Sequence, residues 1–511
     1  MQNTLTDSVK KLYDLKKMDD LKRQGITFKT SKSSYLFDTG TGKVVKLDDK
    51  SSVIINALFD DSISKNDYQK IINCESAAYV VEFLEKENLL CNPNVKHFIS
   101  LEEHAKESNL NCEQLIIELT GKCNLCCKYC IYNESYSGNR DFNTSDIDFK
   151  TAQKAIDYVY KHRSPDRLAI TFYGGEPLIK FDVMKECIDY CLENLIDCNL
   201  SFSFTTNLTL MSTGIAEYLA QVPQLNIVLS LDGPKEIHNR ARVYKNNQPT
   251  FDDALTGLKN LANAIKKYKN KTTIIINCVL MPPYTEERFN QINDFFESLE
   301  FLPPDTKVQA TYPSPGTVPE SYFKELQRDG IDALEDTCEW MSWAKKKANG
   351  KDFLNKRLNI YSTPLESSLA RIHNRTLFDK PMDIYSYNGC CLPGQRRLYL
   401  CTDGSYKVCE RVGNSPIIGH VDYGINEKNI KKYYFTQYAN KSIGDCSKCW
   451  AIHLCDICYA DCYDENGMNI KNKRKLCGEV RDRYKSWLSQ YYEILETNPD
   501  KIEEISKIEY S

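Results

Sequence analysis

The feature that most constrains the fold is a repeated alternation of strand-like and helix-like segments that begins near residue 115. The strand-like segments are "LIIEL", "RLAITFYGG", "LSFSFTTN", "LNIVLSLDG" and "TTIIINCVL". Helix-like segments follow them in turn, at 149–160, 183–195, 214–220, 251–265 and 285–299. This alternation predicts an α/β fold with a parallel sheet and helices outside it. In barrels of this kind the active site gathers at the C-terminal ends of the strands.

Four unusual loops fall at those strand ends, namely "TGKCNLCC", "YGGEP", "TTN" and "SLDGP". The chain of 511 residues also contains 22 cysteines, which bunch at 123–130, 390–409 and 446–477. A secreted disulfide protein would be smaller and would carry an export signal. The first residues lack an apolar export segment, and no run approaches the roughly 18 apolar residues of a membrane span. We therefore expect a cytoplasmic protein without a membrane partner, whose thiols are metal or cluster ligands.

The first cysteine loop has the spacing Cys123-x3-Cys127-x2-Cys130, with Cys126 as an additional thiol. Iron–sulfur clusters of the [4Fe–4S] type normally take four thiolates, so three would leave one iron open. A zinc loop or a set of free thiols is the alternative, because a C-x2-C pair within the loop also suits zinc.

With Tyr129 directly before its third cysteine, this loop resembles the signature of the radical S-adenosylmethionine (radical SAM) superfamily. "YGGEP" is similar to the next motif of that family, and "SLDGPKEIHNRAR" resembles a stretch of its peptide-modifying branch. The resemblance implies a partial (β/α)6 barrel whose SAM cluster is held by Cys123, Cys127 and Cys130, with SAM on the open iron. It also implies a set of residues that contact SAM: Tyr129, Gly174, Gly175, Glu176, Asn207, Ser230, Asp232 and Arg242.

A second cysteine field resembles the SPASM extension, which carries two auxiliary [4Fe–4S] clusters and would bring the total to three. Its pattern begins with Cys391 and Gly404-x4-Cys409 and continues at Cys446-x2-Cys449-x5-Cys455, with later cysteines at 458, 462 and 477. The resemblance implies that the outer cluster is held by Cys446, Cys449, Cys455 and Cys477. One or two zinc ribbons are the alternative for this region.

The inner cluster is less fully specified, because Tyr459 stands where the family pattern has a cysteine. The resemblance implies Cys391, Cys409 and either Cys458 or Cys462 as ligands. The fourth ligand is Cys390, Cys401 or the other member of the 458/462 pair. Alternatively, the inner cluster has no fourth protein ligand, which would leave an iron free for a substrate thiolate.

The N-terminal part shows a hairpin pattern, "SYLFDTGTGKVVKLD", followed by helix-like segments at 51–59, 65–73 and 76–88. This order predicts a winged-helix-like module. Residues 27–95 contain eight Lys, no Arg and ten Asp or Glu, so 8 − 10 gives a charge of −2. The whole chain has a net charge of −4. Nucleic acid is therefore excluded as the expected partner. An exposed strand edge suits peptide capture, with a structural cap as the alternative.

Together these motifs resemble sactisynthases, the radical SAM/SPASM maturases that form thioethers in ribosomally made peptides. The resemblance implies five regions: a lead and peptide-recognition element (1–105), the barrel (106–310), a connector (311–388), the SPASM domain (389–480) and a helical tail (481–511). It implies that a 5′-deoxyadenosyl radical removes hydrogen from a precursor-peptide residue, whose α-carbon then bonds to a cysteine sulfur. The implied partners are the precursor peptide, bound by its leader, and an electron donor such as flavodoxin or ferredoxin.

Three alternatives to this function remain open. The same scaffold could form β- or γ-carbon thioethers, carbon–carbon links or epimers. A sulfatase-type maturase is a second class, and the N-terminal module argues against it. A non-enzymatic zinc-bound adaptor is the third.

Overall fold

The structure is a computed structural model that describes residues 2–18, 21–93, 97–100, 102–103, 112–132, 144–164, 167–314, 316–331, 358–360, 362–385, 387, 389–500, 503 and 506. Much of the expected connector at 311–388 and the end of the expected tail at 481–511 lie outside the described residues. Among the residues described, no helix is both long and apolar enough to cross a membrane.

The centre of the fold is a run of six parallel strands that follow one another in both sequence and space. They are β5 (Cys112–Thr120), β6 (Leu168–Gly174), β7 (Leu200–Thr206), β8 (Leu225–Ser230), β9 (Thr273–Val279) and β10 (Lys307–Thr311). Between them lie the helices Phe149–Lys161, Phe181–Asn194, Thr213–Leu219, Lys235–Ala241, Phe251–Tyr268 and Glu286–Glu297. The predicted α/β fold with a partial barrel is confirmed.

Burial alternates along the barrel strands. In β6, Leu168, Ile170 and Phe172 are fully buried, whereas the alternating residues Thr171 and Tyr173 are only partly buried. The buried set packs with Ala152 and Ile156 of the neighbouring helix, so it faces outward. Parallel sheets usually bury both faces. Here the inner face keeps polar, partly accessible side chains, which suits a barrel that admits a ligand.

The cysteine-rich C-terminal region continues the same sheet, because β12 (Arg396–Leu400) pairs in parallel with β5. Three short antiparallel strands extend the sheet to ten: β13 (Ser405–Lys407), β14 (Gly419–His420) and β15 (Gly424–Ile425). Gly404 makes the turn between β12 and β13 with φ of +85°, a conformation that favours glycine.

Further C-terminal elements surround the second cysteine field: the helices Gln437–Cys446, Tyr459–Cys462 and Ile470–Thr497 and the hairpin of β16 (Tyr463–Asp464) and β17 (Gly467–Met468). The longest helix crosses the expected boundary at 480, and β10 crosses the one at 310. Two further helices are Glu320–Arg328 and Ser362–His373, and the second buries Leu369, Ala370 and Ile372 in the main core. The two-stranded pair of β4 (His97–Phe98) and β11 (Ile384–Tyr385) links two distant parts of the chain.

The N-terminal unit is a three-stranded antiparallel sheet with helices on it. Its strands are β1 (Gly25–Lys29), β2 (Ser34–Asp38) and β3 (Val44–Leu47), with β2 in the centre. Its helices are Gln2–Lys17, Leu21–Gln24, Asp49–Phe59, Lys65–Ile72 and Ser76–Lys86. The predicted hairpin and three following helices are present, and β1 is an additional strand that the sequence did not reveal.

The helix Ile470–Thr497 contacts this unit through two carboxylates: Glu493 accepts hydrogen bonds from the backbone and side chain of Ser31, and Glu496 contacts the strand residues next to it. Glu496 accepts hydrogen bonds from Thr30 Oγ1 and Tyr35 Oη, both at 2.7 Å. Burial opposes ionisation of Glu496, but hydrogen bonds from Ser33, Thr30 and Tyr35 outweigh it and lower its pKa to about 2. The ionised form therefore stabilises the docked arrangement at neutral pH, and this contribution is lost as the pH falls from about 4 towards 2.

We expect Glu496→Gln to loosen this docking, because a neutral amide accepts weaker hydrogen bonds than a carboxylate. The loss should be about 2 kcal/mol at neutral pH, the order of one hydrogen bond to a charged group. It should appear as faster hydrogen exchange of 25–47 and a lower thermal midpoint. Glu479→Gln on the exposed face of the same helix is the control and should change neither. Equal exchange in both variants would show that Glu496 does not hold the unit.

Candidate active site

A cavity of about 290 Å³ opens at the C-terminal ends of the barrel strands. Its wall includes all three cysteines of the predicted spacing, Cys123, Cys127 and Cys130. Seven of the eight residues predicted to contact SAM also line it, namely Tyr129, Gly174, Gly175, Glu176, Asn207, Ser230 and Arg242. The strand ends thus bring together motifs that lie more than 100 residues apart in the sequence.

Backbone hydrogen bonds fix the cysteine loop against the segment that follows the helix Lys235–Ala241. Cys126 N donates to Val243 O at 2.8 Å, and Lys128 N donates to Ala241 O at 2.9 Å. In this geometry Cys126 is exposed, and it is not among the residues that line the cavity. The loop therefore separates one thiol from the other three.

The two glycines of "YGGEP" lie against the backbone of this loop. A Cβ on Gly175 would sit 2.1 Å from Lys122 O and 2.9 Å from Cys123 N. Gly174 has φ of +137°, and a Cβ there would meet Thr120 O at 2.2 Å. Only residues without a side chain allow this approach, so the glycines set the position of the first cysteine.

Behind the cavity wall lies a buried polar network. Tyr129 Oη donates to Asp232 Oδ2 at 2.6 Å and accepts a hydrogen bond from Arg242. The other carboxylate oxygen of Asp232 accepts from Val279 N at 3.0 Å. Asp232 is thus the one predicted SAM-contacting residue that does not line the cavity: its carboxylate is used to hold Tyr129. Arg242 is buried, and its Nε has no hydrogen-bond partner.

Glu176 and Asn207 link neighbouring strand ends. Glu176 accepts from Thr206 Oγ1 and Asn207 N, both at 2.7 Å, and from Leu178 N at 3.1 Å. A carboxylate offers about four acceptor positions, so one more donor can be accommodated. The Asn207 side chain donates to Asn124 Oδ1 at 2.9 Å and thereby reaches the cysteine loop.

The thiols of the loop are electrostatically coupled to Arg242. Burial raises the pKa of Cys123 and of Cys127 to about 12, and the positive charge of Arg242 opposes this rise. Burial also raises the pKa of Cys130. A metal ligand has to be a thiolate, so loading this site releases protons and becomes more favourable at higher pH.

The sequence missed part of the wall. Asn277 of β9 and Thr311, Tyr312 and Ser314 at the end of β10 also line the cavity. The segment "KVQAT" of β10 has only two apolar residues facing the core, which makes its strand pattern weak. The β-α repeat could have predicted β10, because in such a repeat a strand follows each helix, here the helix Glu286–Glu297.

The comparisons with known proteins agree with this geometry. Residues 117–296 match the family model described as the Radical SAM superfamily. A structure described as anSMEcpe with bound AdoMet superposes with a TM-score of 0.53 and 21% identity, covering 78% of this chain and 96% of that one. The barrel has the radical SAM fold.

Two curated relatives each match part of the chain. An uncharacterised protein of Methanocaldococcus jannaschii is 38% identical over 178 residues, which is 34% of this chain and 56% of that protein. The radical SAM cyclopropyl synthase TigE of Paramaledivibacter caminithermalis is 27% identical over 292 residues, or 53% of this chain and 59% of that protein. The chain thus spans less than two thirds of the length of either relative.

The residues of the cavity fit the two groups that the radical SAM fold implies, a [4Fe–4S] cluster and SAM. Three partly buried cysteines line one space, and beside them lie Glu176, a carboxylate with spare acceptor capacity, and buried Arg242, whose Nε has no hydrogen-bond partner among the described residues. Among the described residues, no three His, Cys, Asp or Glu side chains meet at the separations that a single metal ion requires.

The four cysteines predicted for the outer auxiliary cluster line a second, larger cavity of about 780 Å³. They are Cys446, Cys449, Cys455 and Cys477. Lys473 is buried in the same wall and donates to Tyr438 Oη at 2.7 Å. Burial disfavours its charged form, but the negative charges of the surrounding cysteines prevail and raise its pKa. The structure therefore brings all four predicted residues together around one cation.

The five cysteines predicted for the inner auxiliary cluster are also neighbours. Cys390 is half-buried and interacts electrostatically with Cys462 and Cys458. Cys409 interacts in the same way with Cys391, and Cys458 interacts with Cys409. Cys458 thus connects the cysteines Cys390 and Cys462 with the pair of Cys391 and Cys409.

Two further positions of the second cysteine field, Cys401 and Tyr459, have a clear packing environment. Cys401 packs with Ile116 and Tyr399 on the barrel strands, away from the other cysteines. Tyr459 is buried and contacts the rings of Tyr434 and Tyr463 at centroid distances of 5.1 and 4.9 Å. Tyr459 therefore fills an aromatic core at the position where the family pattern has a cysteine.

We expect Gly175→Ala to displace the cysteine loop, because its Cβ cannot coexist with Lys122 O. Hydrogen exchange across 121–130 should rise, and the thermal midpoint should fall. Gly214→Ala is the matched control: it lies in a helix, and its Cβ would meet no atom within 4 Å. That control should be neutral or slightly stabilising, by up to about 1 kcal/mol. An unchanged loop in Gly175→Ala would contradict the close approach described above.

Proposed function

We propose that the protein is a radical SAM maturase that modifies a ribosomally synthesised precursor peptide. The proposal rests on the positions of the four cysteines in the first cysteine loop. Cys123, Cys127 and Cys130 line one cavity together with Glu176 and Arg242, whereas the adjacent Cys126 does not.

In this proposal the three cavity cysteines hold a [4Fe–4S] cluster, and SAM occupies the remaining space. When bound, these groups supply reductive cleavage of SAM and abstraction of a hydrogen atom. The chain itself contributes orientation: Tyr129 is held by Asp232 and Arg242, and Glu176 accepts from the ammonium group of SAM. The buried wall excludes water from the reacting atoms, which is the protein's general contribution in cofactor enzymes.

The peptide partner is supported by a groove on the N-terminal unit. A cavity of about 160 Å³ lies between β3 and the helix Ser76–Lys86. Its wall is mostly apolar and includes Val45, Leu47, Val80 and Phe83. β3 is an edge strand, because β2 pairs with it on one side only in the three-stranded sheet. An extended leader can add to this edge and place alternate side chains in the groove.

Within this function we propose thioether formation, with the cysteine sulfur of the peptide bonding to an α-carbon. The inner cysteine group supports it, because five cysteines share that site, and Cys391 among them is exposed. An auxiliary [4Fe–4S] cluster there, and another on the four outer cysteines, would complete three clusters. Formation of a carbon–carbon bond in the peptide is the second candidate, favoured by the similarity to a cyclopropyl synthase.

Replacing Cys123, Cys127 and Cys130 together by Ala should abolish cleavage of SAM by dithionite-reduced enzyme. It should also lower the iron content from about twelve to about eight per chain, since one of three four-iron clusters is lost. Cys126→Ala is the matched control in the same loop and should retain both. Zinc in place of iron in the purified protein, or SAM cleavage by the triple variant, would rule out the proposed cofactor.

The leader groove is tested with Tyr79, which lines it and is 58% exposed. We expect Tyr79→Glu to weaken binding of a synthetic leader peptide about tenfold, because it places a charge beside an apolar groove. Val53→Glu in the same unit is the control, since Val53 is 55% exposed and is not among the groove residues. Equal affinity of both variants would exclude this groove.

The bond formed is read by mass spectrometry of the precursor after co-expression. Each thioether lowers the mass by two hydrogen atoms and removes one free thiol. A mass loss with every cysteine still free to alkylate would favour the carbon–carbon alternative instead.

A further inference from the structure

The cavity that holds the four outer cysteines has a strongly basic rim. Six cationic residues line it, against the single carboxylate of Asp445: Lys22, Lys448, Lys473, Arg474, Arg481 and Lys485. Lys22, Lys448, Arg474 and Lys485 are exposed, and Arg481 is half-buried. Two of these charges are locally compensated: Arg474 Nε lies 2.7 Å from Asp445 Oδ2, and Lys22 forms an ion pair with Asp61. The remaining exposed cations face solvent around the cavity mouth.

The helix that carries Cys477 has the same charge bias. Its first 16 residues, 470–485, contain seven Lys or Arg and two Asp or Glu, so 7 − 2 gives +5. The whole chain has a net charge of −4. Cations are therefore concentrated in this segment of a protein whose whole chain is acidic, and such a field steers acidic partners towards it.

This basic face is also the place where the outer cysteines come nearest to solvent. Cys446, Cys449 and Cys477 are only partly buried, and Lys448 lies directly between the first two in the sequence. The cysteines of the SAM cavity are also only partly buried, but they lie at the ends of the barrel strands, where Cys127 packs with Tyr129, Met281 and Tyr322. A partner that approaches the basic face reaches a cysteine cluster without entering the barrel.

We propose that this face, defined by Lys22, Lys448, Arg474, Arg481 and Lys485, is the docking surface of a small acidic one-electron carrier protein. The inference deepens the proposed function, which requires an electron donor but does not say where it binds. Redox encounters of this kind use small, weak interfaces in which complementary charge provides most of the orientation.

The leader peptide is a less suitable occupant. The leader groove lies at β3, whereas the basic cavity is bordered by Gly25, Ile26 and Thr27 of β1. These are opposite edges of the three-stranded sheet. A leader seated on β3 therefore leaves the basic face open.

The test is calorimetric titration of the iron-loaded protein with oxidised flavodoxin, an acidic carrier, at about 0.05 M and 0.3 M salt. We expect binding to weaken with salt and Lys448→Glu/Lys485→Glu to raise the Kd about tenfold. The control, Lys259→Glu/Lys266→Glu, makes the same charge change on exposed positions of the barrel helix Phe251–Tyr268 and should keep the wild-type Kd to within about twofold.

Lys448 adjoins two cysteines, so a second variant avoids that loop. Lys22→Glu/Lys485→Glu changes only the outer rim, and it should show the same loss of affinity at unchanged iron content. Equal Kd values for the rim and control variants overturn the proposal, as does the absence of binding by wild-type protein. A loss of affinity for an acidic leader or an oligonucleotide, with flavodoxin binding retained, also overturns it.

Failure of the docking proposal is distinguishable from failure of the proposed function. Cleavage of SAM by the wild-type protein with dithionite requires no carrier. If the protein cleaves SAM with dithionite and all variants bind flavodoxin equally, only the docking proposal is overturned. If the protein does not cleave SAM with dithionite, the proposed function itself is overturned.

Discussion

The parallel pairing of β12 with β5 is the constraint on which the rest of the structure depends. β5 leads directly into the first cysteine loop, and β12 leads into the second cysteine field. Four consecutive residue pairs, from Arg397 with Gln114 to Leu400 with Ile117, fix the register of the two strands after a shift at Arg396. A shift by one residue would turn every side chain of β12 to the opposite face of the sheet. The distance between the barrel cavity and the inner cysteines is therefore set by backbone hydrogen bonds, which are rigid on the scale of the site.

Within the barrel, each strand end contributes a different function to one cavity. β5 supplies the cysteine loop, β6 the close-packed glycines and Glu176, and β7 the amide of Asn207. β8 supplies the loop whose Asp232 holds Tyr129. Because Tyr129, Asp232 and Arg242 are bonded to one another in a buried environment, the loop is ordered by the chain itself. Preorganisation of this kind reduces the entropy that ligand binding has to overcome.

The sequence was sufficient for elements whose signals are contiguous. The strand–loop motifs, the barrel helices and the spacing that separates Cys126 from its three neighbours were all readable, because each lies within a few residues. Long-range pairings were not. β1 was missed since "GITFK" lies in a polar context, and β12 gave no sign that it would join a strand about 280 residues earlier. The bond from Tyr129 to Asp232 was not readable for a related reason: a motif shows which residues meet, but not which of them faces the cavity.

The position of β1 has a consequence for engineering. This strand belongs to the N-terminal sheet, yet Gly25, Ile26 and Thr27 form part of the wall around the outer cysteines. The N-terminal unit is therefore not an appendage that can be exchanged as a block between related proteins. A chimera that replaces all of it would open the outer cavity to solvent. Under the proposed binding of a leader, grafting only β3 and the helix Ser76–Lys86 from another protein exchanges the leader groove and leaves that wall intact.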